Sequence, residues 1–197
     1  MPDLLSGVRI LETASFVAAP SATLYLAQLG ADVIRVDQIG GGPDFGRWPL
    51  ADNGASLYWE NLNRAKRSVA LDLRQEQGRA LLRALAAETG QLVTNFPVDG
   101  FLAHDRLAEL RADMITVRVM GTADGGSALD YTVNAAVGIP QITGPAALGE
   151  APVNHVLPAW DLLTGAYAAF ALLAGLRRRE ATGEGGELRI ALQDVAI

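Results

Sequence analysis

The segment VRILETASFVAAPSATLYLAQLGADVIRVD, residues 8–37, decides the fold. Val8 to Glu12 is a short apolar run of strand character, Phe16-Val17-Ala18-Ala19-Pro20 follows as a loop, and a helix is predicted from about Ser21 to Leu29. Proline has its backbone dihedral fixed near the helical value and lacks an N–H that the first turn leaves unused, so Pro20 suits helix entry. Gly30 suits the exit. Ala31 to Val36 supplies a second strand, ending in Asp37. Strand, helix and strand in this span make a βαβ unit, which sets the two strands parallel and leaves their loops at one sheet edge. No GxGxxG follows the first strand, so the fingerprint of a nicotinamide or flavin site is missing.

The same alternation continues outward. Val69-Ala70-Leu71 reads as a strand. Gln75 to Ala87 has Ala80, Leu81, Ala84 and Leu85 at amphipathic-helix spacing and stops near Gly90. Leu92-Val93-Thr94 is a further strand cut off by Pro97. Phe101 to Leu110 is predicted helical, and Met114 to Val119 is apolar enough to be covered on both faces. Leu129 to Asn134 has only weak helical character, because β-branched residues and Asn oppose it. Leu162 to Leu176 forms a long apolar helix, with Arg177-Arg178-Arg179 at its negative end, and Leu188 to Leu192 reads as a strand. The predicted class is α/β, a Rossmann-like parallel sheet flanked by helices, with strands near residues 8, 33, 70, 93 and 117 side by side. Gly40-Gly41-Gly42 lacks the GxxxxGK[ST] context of a phosphate loop and is read as a flexible turn.

With 197 residues and 50% hydrophobic content, the chain suits one domain with a substantial core. A net charge of -6 argues against nonspecific nucleic-acid binding, and the lack of cysteine excludes disulfides, thiolate metal sites and cysteine nucleophiles. No signal segment is recognised, and the apolar runs are interrupted too often to read as membrane spans. A cytoplasmic location is therefore expected.

The richest chemical stretch is Val153-Asn154-His155-Val156-Leu157-Pro158-Ala159-Trp160-Asp161. Asp161 stands where a loop delivers a carboxylate to the start of a buried helix. There it serves as a helix cap, stabilised as an anion by backbone N–H groups, or as a nucleophile toward an activated acyl group, or as both. Arg64, Lys66 and Arg67 form a basic group ahead of a strand, either a solvated face or an anchor for phosphate oxygens. Arg47 is suited to meet an anion, with Trp48 as an apolar lid. His104 and His155 have no partner at metal-ligand spacing, so no metal site is expected, and His155 is read either as hydrogen-bonding near the Asp161 carboxylate or as making a structural hydrogen bond. Ser127 has no GxSxG around it.

Taken in order, Gly30 to Val36, Asn63 to Leu73, Asn95-Phe96, Asp161-Leu162-Leu163-Thr164-Gly165 and Thr182-Gly183-Glu184-Gly185 resemble the family III CoA-transferases. The resemblance implies that Asp161 is the covalent nucleophile, that the stretch holding Arg64, Lys66 and Arg67 lies by the CoA nucleotide, and that Asn95 and Phe96 line its path. The racemase branch of the family has a histidine immediately before the aspartate matching Asp130. Leu129 stands there instead, which counts against racemisation. Pro97-Val98-Asp99 replaces the basic residue often found after the Asn-Phe pair. Further similarity at Arg47-Trp48-Pro49, Asp130 to Asn134 and Val153 to Asp161 points to the branch that moves CoA between the two carboxyl ends of one unsaturated C5 diacid.

The implied partners are an acyl-CoA and a small dicarboxylic acid. CoA enters as a thioester substrate and no separate cofactor is required. The implied assembly is a homodimer of interlocked chains. Residues 1–197 correspond to the CoA-binding and nucleophile-bearing part of the large domain, and the apolar ending Val195-Ala196-Ile197 leaves surface for further polypeptide to cover. Alternatives are transfer of CoA to a separate acid, or a shortened, non-catalytic homologue that binds a partner.

Overall fold

The structure is a computed structural model that describes residues 3–145, 147, 149 and 151–196; Ile197, in the apolar ending, lies outside them. Six strands form one sheet, β1 (Arg9–Thr13), β2 (Asp32–Asp37), β3 (Arg67–Ala70), β4 (Gln91–Thr94), β5 (Ile115–Met120) and β6 (Gly186–Ala191). Their order is β3-β2-β1-β4-β5-β6 and every neighbouring pair is parallel. The five strands expected from the sequence do lie side by side, and the Leu188 to Leu192 run adds the sixth at an edge.

The helices between them are α1 (Ala18–Gln28), α2 (Leu57–Asn63), α3 (Glu76–Thr89), α4 (His104–Leu110), α5 (Asp130–Ala136), α6 (Ile139–Ile142), α7 (Ala159–Thr182) and α8 (Leu192–Val195). α1 begins three residues ahead of Ser21, so Pro20 lies inside its first turn. The sequence reading gave no helix over α2, whose start is fixed by the Ser56 hydroxyl accepting the Trp59 N–H at 3.1 Å.

Side chains on a strand alternate faces, so two successive apolar residues in a doubly covered strand enter two cores. Ile10 and Val93 join one core with α1 and α7, while Leu11 and Leu92 join the other with Leu82 of α3 and Leu107 of α4. A fully buried leucine of this kind contributes about 1.5–3 kcal/mol. Backbone approach places α7 against α1. A Cβ on Gly165 would lie 2.0 Å from Ser21 Oγ and 2.7 Å from the Ala18 carbonyl, so only glycine allows that crossing.

α7 corrects the expectation that the apolar runs are interrupted too often to read as membrane spans. It has the length and apolarity of such a span, with a mean hydropathy of 1.4 in its most apolar window. In this fold it is a core helix. Thr164, Gly165, Ala168, Ala169, Leu172 and Gly175 are buried, and its last turn docks on the sheet through Arg179, which donates to the Gly90 carbonyl at 2.9 Å and Gln91 Oε1 at 2.7 Å.

Candidate active site

Strand addition reverses direction between β1 and β4, and in open parallel sheets such a reversal leaves a crevice at the carboxyl ends of the strands. A cavity of about 490 Å³ lies there. Thr13 to Ser15 line it after β1, Val36 to Ile39 after β2, and Asp72 to Arg74 after β3, with Phe96 and Phe101 closing it in an edge-on pair 6.0 Å apart. Asn95 clips the wall together. Its Nδ2 donates to the Ser15 carbonyl at 3.2 Å, and its Oδ1 accepts the Ser15 N–H at 3.4 Å. Arg74, which pairs with Asp72 at 2.9 Å and stays exposed, was not singled out from the sequence, nor was Gln38.

The basic group is divided by the structure, and none of its members lines that cavity. Arg64 is exposed and turned back on the backbone and side-chain oxygens of Asn61. Arg67 is an exposed fork on Asp32, with Nε to Oδ1 at 2.8 Å. These two residues begin β3 and β2, at the amino ends of parallel strands whose carboxyl ends carry the cavity. Lys66 is neither a solvated charge nor a free anchor. Its Nζ is buried and donates to Glu12 Oε2 at 2.8 Å, the Pro20 carbonyl at 2.8 Å and Asn63 Oδ1 at 2.9 Å. Burial pushes the lysine down and Glu12 opposes the shift.

Asp161 lies apart from the cavity lining, in the first turn of α7. It does not cap its own helix. The cap comes from Asp130 at the start of α5, whose Oδ2 accepts the backbone N–H groups of Trp160 at 2.7 Å and Asp161 at 3.0 Å. Asp130 Oδ1 meets His155 Nε2 at 2.9 Å, and Trp160 Nε1 donates to Asn134 Oδ1 at 3.0 Å. An imidazole therefore reaches Asp130 from a residue 25 positions away, although Leu129 occupies the adjacent place. Among the described residues nothing pairs with the carboxylate oxygens of Asp161. Burial, and next the negative charge of Asp130, push it up to about 6, against a smaller opposing pull from Arg47. The expected stabilisation of its anion by the helix start is thus outweighed.

Arg47 links the two places. Its guanidinium stacks 4.6 Å from the Tyr58 ring centroid and 5.7 Å from that of Phe16, in the loop between β1 and α1. Phe16 has a left-handed φ of 68°, uncommon for an aromatic residue, and its N–H is held by Asp44 Oδ2 at 2.8 Å. Burial raises the Tyr58 phenol to about 12; Arg47 pulls it down, Asp161 pushes it up, and its hydroxyl is buried without a partner among the described residues.

Among the described residues Asp161 is a carboxylate without a partner at a helix start, and an open crevice lies at the switch point of the same sheet. The fold that carries them is shared with known proteins. The sequence model of CoA-transferase family III matches residues 5–197. The chain is 50% identical to the 2-methylfumaryl-CoA isomerase of Chloroflexus aurantiacus, covering 100% of this chain and 49% of that protein. It is 33% identical to the succinate–glutarate CoA-transferase of Agrobacterium fabrum, over 97% and 51% of the two chains. A CAIB/BAIF family protein from Brucella suis superposes with a TM-score of 0.89 at 29% identity, covering 98% of this chain and 54% of that one. The chain spans about half the length of the curated relatives it matches. It belongs to CoA-transferase family III.

Proposed function

We propose that the complete protein moves CoA between the two carboxyl groups of mesaconate (2-methylfumarate), with Asp161 as the acyl carrier. The observation that carries the reading is the Asp161 carboxylate itself, held at the start of α7 without a partner and raised to about 6. At neutral pH it is mainly ionised, yet it is poorly compensated, and a desolvated carboxylate is a more reactive nucleophile than a hydrated one. A 50% identical relative named for this isomerisation supports the choice of diacid.

A carboxylate oxygen of Asp161 attacks the thioester carbonyl, the C–S bond breaks, and CoA leaves as thiolate, with a mixed anhydride of mesaconate and Asp161 remaining on the protein. The thiolate attacks the aspartyl carbonyl, giving an aspartyl thioester and free mesaconate. The other carboxylate of mesaconate attacks that thioester, expelling the thiolate again. The thiolate then attacks the new acyl carbonyl and restores Asp161. No proton or electron is consumed, and the thioester energy is retained at each step. The cavity at the switch point takes the nucleotide end of CoA, with Arg74 at its rim, and the loop carrying Ser15 and Phe16 leads the thioester end toward Asp161. The protein acts in the cytoplasm as a homodimer.

Transfer to a separate acid is the second reading, supported by the 33% identity to a succinate–glutarate CoA-transferase. Isotope-labelled free mesaconate decides between them. Intramolecular transfer leaves the label out of mesaconyl-CoA during turnover, whereas intermolecular transfer incorporates it. Hydroxylamine trapping followed by peptide mass spectrometry is expected to mark Asp161, and Asp161→Asn to lose turnover by at least about a thousandfold. Turnover retained by that variant overturns the aspartyl mechanism.

A further inference from the structure

β5 carries a charge where its neighbours are apolar. Alternation along the strand sends Ile115, Val117 and Val119 into the core shared with α1 and α7, and turns Met114, Thr116 and Arg118 toward α3 and α4. Arg118 is 0% exposed, and a guanidinium taken out of water needs partners for its donors. Nε donates to Glu187 Oε1 at 2.7 Å, which supplies the counter-charge. The other bonds run to backbone carbonyls, from Nη1 to Phe96 at 2.8 Å and Pro97 at 2.9 Å, and from Nη2 to Leu102 at 2.8 Å. All three carbonyls belong to the segment between β4 and α4 that carries Phe96 and Phe101, the aromatic wall of the switch-point cavity. Among the described residues the backbone bond that closes within this segment is a long one, from the Ala103 N–H to the Gly100 carbonyl at 3.3 Å. Thr94, opposite Arg118 in the sheet, accepts the Phe96 N–H at 3.1 Å, so the peptide groups on both sides of Phe96 are fixed by side chains of adjacent strands.

We propose that Arg118 is a positioning residue for the CoA thioester, its three carbonyl bonds holding Phe96 and Phe101 as a preformed wall for the nucleotide end of CoA. This inference rests on the proposed seating of that end in the cavity and deepens it. Arg118 lies behind the wall and does not line the cavity, so it acts through the backbone it holds. Without its fork the three carbonyls lose a charged donor and the segment gains freedom, so the cost of ordering the wall falls on binding. The chemistry at Asp161 belongs to α7, a different element, and the effect is therefore on affinity.

The test uses two variants of the full-length protein. Arg118→Lys keeps a cation beside Glu187 but cannot span three carbonyls, whereas Arg118→Met removes the charge and leaves Glu187 to Arg189, 2.7 Å away. Two substrates are compared, mesaconyl-CoA and the N-acetylcysteamine thioester of mesaconate, which lacks the nucleotide. Arg118→Lys is expected to raise KM for mesaconyl-CoA about tenfold with kcat within about twofold, Arg118→Met to raise it further, and kcat/KM for the short thioester to stay within about twofold. Hydrogen exchange across residues 95–103 of ligand-free Arg118→Lys is expected to be at least about tenfold faster than in the parent, and to slow again on saturation with free CoA. Equal losses on both thioesters, or unchanged exchange in that segment, overturn the assignment. Calorimetry with free CoA, which needs no turnover, adds Phe96→Ala as a probe of the seating itself. If Phe96→Ala weakens CoA binding and the Arg118 variants do not, the positioning role fails alone; if none of them weakens it, the seating of the nucleotide fails and the inference with it.

Discussion

Glu12 and Asp161 are both carboxylates drawn out of water, yet Glu12 has two cations against it and Asp161 has none in contact among the described residues. Glu12 is 0% exposed; Arg35 Nη1 meets one oxygen at 2.7 Å and Lys66 Nζ the other at 2.8 Å, with the Thr23 hydroxyl donating as well. Arg35 then passes on to Asp37 at 2.8 and 2.9 Å, and Asn63 Oδ1 accepts from both cations. This knot ties β1, β2 and the approach to β3 to α1 and α2. At Asp161 the neighbouring charge is of the same sign, and among the described residues no side chain donates to its carboxylate. Burial with compensation fixes a fold. Burial without it leaves free energy in a reactive group.

The sharpest break in that comparison is Glu12→Gln, which leaves Lys66 among neutral oxygens only, while Arg35 keeps Asp37. Removing one member of a buried charge group costs roughly 3–5 kcal/mol, because the remaining charge is uncompensated. Urea unfolding of the full-length protein should show a loss of that size, and adding Lys66→Met to the variant should recover part of it. A loss below about 1 kcal/mol would mean that water or a rearranged partner compensates Arg35 and Lys66.

Asp161 should respond in the opposite direction. Its folded pKa, about 6, lies above the ordinary 3.8, so the native state binds the proton more tightly than the unfolded chain. Ionisation therefore opposes folding. The penalty is absent below about pH 3.8, grows between 3.8 and 6, and is fully present above 6. Asp161→Asn removes the charge, so it should stabilise the protein by on the order of 1–3 kcal/mol at pH 7.5, allowing for partial solvent screening, and by close to nothing at pH 3.5. Unfolding midpoints of the two proteins across that pH range provide the check. A variant less stable than the parent at pH 7.5 contradicts an uncompensated carboxylate.

The sheet was legible because its strands are covered on both faces, so that Leu92-Val93-Thr94 and, apart from Thr116 and Arg118, Met114 to Val119 stand out as apolar segments between helical periods. α2 was hidden, since Tyr58, Trp59 and Glu60 have no clear apolar stripe; its available signal was Ser56, a good cap, with Glu60 in the first turn. In the site, Asp161 was legible as chemistry but its cap was not. Asp130 is 31 positions away, and no periodicity links the two. Lys66 shows the same limit more severely. Within Arg64 to Arg67 it looks like one solvated charge among three, and only Glu12, 54 positions earlier, takes it into the interior. Local pattern gives elements and candidate groups, whereas the charge state of a group is set by partners that the topology brings in.

The smallest expected effect falls on Asp130, which connects helix geometry to nucleophile charge. Asp130→Asn keeps one acceptor oxygen but sets an amide against either His155 or the two N–H groups at the start of α7. Loss of that cap should cost about 1 kcal/mol of stability. The charge effect is separable from the geometric one. Asp130 is a cause of the raised Asp161 pKa, second to burial, so removing its charge should move the acid limb of kcat/KM from about 6 to lower pH. A displaced Asp161 would lower the height of the profile without that movement. The profile of the full-length variant should therefore shift toward acid even if its plateau falls. A limb that stays in place or moves upward would show that Asp130 only holds the helix, and that burial alone raises Asp161.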